Sequence, residues 1–165
     1  MKVSTKEIAV FGMLGALMYA SKMLMELFPN IHLLATLTIC ITLVYRQKAL
    51  YPIYIFVVIM GLFFGFPVWW IPHLYLWTVL WGVTMLIPKN LSPRLMPWVC
   101  AIVCSAHGFL YGTLYAPFQA FWFGMDFKGT LAWIAAGFPW DILHGISNFI
   151  MGLLIPKILL VLKRL

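Results

Sequence analysis

Asp141, His144 and Asn148 are the residues of this chain whose types and spacing could do chemistry. Steps of three and four residues put them on one face of a helix, and the apolar run over 137–157 predicts a helix there. An acid, an imidazole and an amide in a row could hold a small polar ligand or contribute to a metal site. A carboxylate within an oily helix costs on the order of 3 kcal/mol unless it is paired or serves a site, so the stripe must face protein or a cavity. Two more sets share the pattern. His107, Tyr111 and Tyr115 recur at four-residue steps beside Gly108 and Gly112, and His73, Trp77 and Trp81 do the same. Asn30 and His32 stand at the entrance of another apolar run, Trp69 lies in an aromatic turn, and Trp133 and Trp140 precede the stripe. Apolar and aromatic walls with a few convergent polar groups describe a small-molecule site. The candidate binding residues are therefore Asn30, His32, Trp69, His73, Trp77, His107, Tyr111, Trp133, Trp140, Asp141, His144 and Asn148.

The bland alternatives are concrete. Each histidine could bond a backbone carbonyl, and Trp69 and Trp70 could sit in an interfacial belt. Asp141 could simply pair with His144. Nothing in the sequence resembles a serine-nucleophile elbow, a zinc-protease helix or a phosphate-cradling glycine loop. A zinc site built from His107, His144 and Asp141 matches no standard ligand spacing, so no metal, cofactor or catalytic residue is expected. Cys40, Cys100 and Cys104 all lie in apolar runs, which suits packing rather than a disulfide framework.

The elements that must position these groups are membrane helices. Of 165 residues, 64% are hydrophobic and 9% charged, against roughly 25% charged in soluble domains. The expected fold is an all-α membrane protein, a single domain of six transmembrane helices. Expected spans are 8–27, 31–45, 49–65, 71–87, 97–116 and 139–162, with an outer loop over 117–138 carrying a short interfacial helix near 130–136. Pro139 would open the last span and Pro156 would kink it. Thr36, Thr38 and Thr42 are expected to bond back onto their own helix.

Net charge is +7, but the positive residues are scattered through short loops, so nucleic acid is not the expected partner. With six spans, nine of the eleven Lys and Arg fall on one side, and only Lys22 and Lys128 on the other. The positive-inside rule then puts both termini in the cytoplasm. Gly12, Ala16 and Ala20 form a small-residue ridge on the first span. Spacing alone favours packing of that ridge within the bundle over docking to a partner.

Taken together, Ala16-x-x-x-Ala20, the pattern Gly-x-Pro-x-Asp-x-x-His-x-x-x-Asn at 137–148 and six spans in this length resemble the substrate-binding S component of energy-coupling factor vitamin transporters. The resemblance implies substrate capture at the outer face of a bacterial plasma membrane. It implies a transmembrane coupling subunit and two cytoplasmic ATPases as partners, and docking to the coupling subunit through Ala16 and Ala20. An aromatic pocket with one acid and few positive groups suits a compact neutral or weakly basic ring such as pyridoxine, a hydroxymethylpyrimidine or a thiamine-like compound. A larger ligand such as cobalamin or a queuosine precursor would rest on the outer loops. Two other classes stand beside this one: a small membrane enzyme using His107, His144 and Asp141, and a ligand-free assembly subunit.

Overall fold

The computed structural model describes residues 3–28, 31 and 33–164. Those residues are helical almost throughout: α1 (Thr5–Met25), α2 (Leu34–Tyr45), α3 (Leu50–Phe64), α4 (His73–Met85), α5 (Met96–Phe109), α6 (Tyr111–Phe123), α7 (Phe127–Gly152) and α8 (Ile155–Leu162). Short 3-10 turns, Arg46–Ala49 and Val68–Trp70, join α2 to α3 and α3 to α4. The outside of the bundle is oily, with Leu24 77% and Phe121 84% exposed, while Thr36, Thr38, Thr42, Thr84 and Asn148 are fully buried. That distribution suits a lipid surrounding rather than water. Three helical stretches, Thr5–Met25, Leu34–Phe64 and Met96–Phe123, are long and apolar enough to cross a membrane. The pair α7 and α8, bent by 54°, makes a fourth.

Leu34–Phe64 is not one rod. Arg46 sits at φ 53, ψ −119, and the chain reverses there. Phe56 packs on Trp77 and Trp70 Nε1–H donates to the Val57 carbonyl, so α3 runs opposite to α4. Thr36 near the start of α2 touches Cys104, whereas Arg46 at its end bonds the Met85 carbonyl, so α2 runs with α4. Phe11 stacks on Tyr51 and Tyr19 on Phe63, so α1 runs with α3. Ser4 and Glu7 form a capping box that starts α1, and Glu7 also accepts a bond from Lys48. Three layers result: α1 with α3, then α2 with α4, then α5 and α6 with α7; α8 lies against α2 and α5.

The expected loop over 117–138 is corrected. Helix α6 continues to Phe123 with Pro117 inside it, and α7 already begins at Phe127. Asp126 caps α7 by accepting from Gly129 N–H at 2.7 Å, so Gly129 lies in a helix and the short segment expected near 130–136 is part of the long α7. Pro139 falls inside α7 rather than opening a span. The break near the far end comes at 153–154, and Pro156 sits in the first turn of α8, where its missing N–H is tolerated. Of the threonines, Thr42 bonds back to the Thr38 carbonyl at 2.7 Å, but Thr36 instead meets the Cys104 sulfur.

Candidate functional site

Helices α5 and α7 approach closely because glycines face each other. A Cβ on Gly108 would lie 2.8 Å from the Gly145 Cα, and one on Gly152 would lie 2.7 Å from the Ala101 Cα. Ser105 Oγ donates to the Gly145 carbonyl at 2.9 Å and Asn148 Nδ2 to the Cys104 carbonyl at 3.2 Å. This seam brings the α7 stripe against α5 and the start of α6.

Asp141 is 6% exposed, and both its oxygens accept from Gly112 N–H at 3.1 Å. The reason lies in the break at Leu110 between α5 and α6. The first turn of a helix has N–H groups with no partner within that helix, and Asp141 supplies one from across the seam. A negative group there also suits the helix dipole. Three residues on, His144 is 3% exposed with its ring 5.1 Å from that of Tyr111.

Around Tyr111 the rings form one connected cluster. Tyr111 O–H donates to His73 Nε2 at 3.2 Å, and His73 Nδ1 lies 3.1 Å from the Trp69 carbonyl. That carbonyl can only accept, so the His73 proton sits on Nδ1 and Nε2 is left to accept. Tyr115 O–H donates to the same Trp69 carbonyl at 3.0 Å, and its ring stacks on Trp133 at 5.9 Å. His107 is 5.9 Å from Tyr111 and 5.6 Å from Trp77, centroid to centroid. The aromatic turn folds back because Gly61 leaves room: a Cβ there would lie 2.9 Å from Trp70 Nε1.

Two adjoining rings in the cluster carry polar atoms without a protein partner. His107 Nε2 lies 3.3 Å from the Leu76 carbonyl, which fixes its proton on Nε2 and leaves Nδ1 as a bare acceptor. Neither that Nδ1 nor Trp77 Nε1–H has a hydrogen-bond partner, although the residues are 5% and 2% exposed. Asn148 Oδ1 and Thr38 Oγ1 share that condition. Leaving such groups buried and unmet costs about 1–3 kcal/mol each.

Trp69, His73, Trp77, His107, Tyr111, Trp133 and His144 thus come together, with Asp141 at their edge and Asn148 one turn deeper. Trp140 does not join them; it is 58% exposed on the outer surface of α7. Asn30 and His32 lie outside the described residues. Tyr115 belongs to the cluster, and its alignment with His107 and Tyr111 was the signal that could have added it to the candidate set. No three His, Cys, Asp or Glu side chains gather as a metal site among the described residues.

Ala16 and Ala20 lie elsewhere. Both are exposed and line an apolar groove of about 610 Å³ along α1, with Lys6 at one end. Packing of this ridge within the bundle, the reading that spacing favours, does not occur: Gly15, not Ala16, meets α3, where a Cβ would lie 2.8 Å from Ile55 Cβ. No family model matches the chain, and neither a curated protein nor a solved structure resembles it.

Proposed function

We propose that this chain captures a compact planar ring for import, as the substrate-binding subunit of an energy-coupling factor type transporter in a bacterial plasma membrane. The observation that carries the reading is the aromatic cluster holding an unmet donor, Trp77 Nε1–H, beside an unmet acceptor, His107 Nδ1. A neutral or weakly basic heterocycle with one acceptor and one donor would satisfy both while stacking on the rings around it. On this reading the polar handles of the site are Trp77 and His107, with Asp141 in the wall behind them.

Six crossings with both termini in the cytoplasm belong to the same proposal. Alternating helix directions support it, and with six spans nine of the eleven positive residues of the sequence would fall on one side. The exposed Ala16 and Ala20 face would dock the transmembrane coupling subunit, and hydrolysis would come from two ATPases bound to that partner.

Calorimetry on the purified chain against pyridoxine, hydroxymethylpyrimidine and thiamine tests the reading. One of them should bind, and Trp77→Phe should weaken it about tenfold, the worth of one buried hydrogen bond. Folded protein that binds no vitamin in a wider panel overturns the assignment. Ala16→Trp with Ala20→Trp should abolish uptake in cells and leave binding intact; uptake that survives removes the docking role.

A further inference from the structure

At the end of the bundle opposite the aromatic turn, two cavities of about 300 Å³ and about 360 Å³ share Arg46 and Lys89 as a common wall. Lys163 lines the first and Lys48 the second. Four cations from three parts of the chain therefore meet around one recess: the α2–α3 turn supplies two, the α4–α5 connection one and the end of α8 one. Of these four cations only Lys48 has an ion-pair partner among the described residues, Glu7. Arg46, Lys89 and Lys163 line the recess, and none of them is ion-paired to an acid among the described residues.

The turn that presents Arg46 is held in an uncommon shape. Arg46 has positive φ without being glycine, a conformation that persists only when its surroundings enforce it. Trp81 Nε1–H donates to its carbonyl at 3.0 Å, and its guanidinium donates to the Met85 carbonyl at 2.7 Å. Scattered loop charges that merely set topology need neither a shared cavity nor a pinned backbone. The recess also has an oily side, made by Leu43, Val44 and Leu159. Cations above an apolar wall, between helices at one end of the bundle, match a lipid with an anionic headgroup.

We propose that this recess binds an anionic phospholipid, its phosphate among Arg46, Lys89 and Lys163 and the root of its acyl chain along Leu43, Val44 and Leu159. The inference requires that the chain lie in a membrane, but not that it bind or move a vitamin.

Native mass spectrometry of the full chain in detergent, given equal phosphatidylglycerol and phosphatidylcholine, tests it. Phosphatidylglycerol adducts should dominate, and Lys89→Ala with Lys163→Ala should reduce that preference about tenfold or more. Arg46 is left unchanged because its side chain also ties the turn to α4. Lys22→Ala with Lys128→Ala removes the same charge at the opposite end and should leave the preference in place. Equal loss in both double variants, or no preference in the parent chain, overturns the proposal. Retention of inorganic phosphate without phosphatidylglycerol would show a free-anion site and overturn the lipid assignment. Vitamin binding measured on the same preparations is expected to be unchanged, so failure of either proposal is distinguishable.

Discussion

Asp141 shows how one residue can be found by pattern while its protein partner stays hidden. Its position on a shared face with His144 and Asn148 was legible because helical periodicity is a local property. Its partner was not, because Gly112 N–H becomes available only through the break at Leu110, which no Pro or turn dipeptide announces. A buried carboxylate that accepts a backbone bond contributes to stability whether or not a ligand ever arrives. Asp141→Ala should therefore lower stability in detergent by about 1–3 kcal/mol. Asp141→Asn, which retains an acceptor oxygen, should lose roughly half as much. Thermal unfolding of the ligand-free variants decides the point: an unchanged midpoint for Asp141→Ala would remove the capping role. Lining up His107, Tyr111 and Tyr115 by fours worked even across the break, where successive rings lie 5.9 and 6.4 Å apart.

Among the elements, the α5–α7 seam depends on what its glycines lack. Gly108→Ala would push a methyl to within 2.8 Å of Gly145 backbone, an overpacking that costs about 1–3 kcal/mol. Gly137→Ala, also on α7, meets nothing within 4 Å. It should be neutral or gain up to about 1 kcal/mol from better helix propensity. Comparing the two unfolding midpoints checks the seam, and the reverse order would refute it. The sequence marked Gly108 and Gly112 as either close packing or space, and could not choose, because the choice lies with the facing helix. The start of α7 was missed for a similar reason. Gly129 read as loop, Trp133 as part of a short interfacial helix and Pro139 as the opening of a span, yet the Asp126 cap and the packing of Trp133 on Tyr115 join the segment into one helix.

For the whole molecule, the charge asymmetry makes a claim about sidedness that labelling can test. Cys40, Cys100 and Cys104 are buried, so background reaction with a membrane-impermeant maleimide should be low. Ser92→Cys, in the α4–α5 connection, should react only when the cytoplasmic face is opened, and Lys128→Cys should react in intact cells. Reaction of both from the same side would refute the proposed orientation. The layered packing carries a further consequence. Layer one, α1 with α3, makes no extensive contact with α5, α6 and α7; α2 and α4 stand between them. Load applied to α1 by anything that grips it must pass through α2 and α4, and one route runs along the Phe56–Trp77 and Trp77–His107 ring contacts to Tyr111. Trp77 is then both a wall of the cluster and one shaft along which a tug would travel from one flank of the protein to the other.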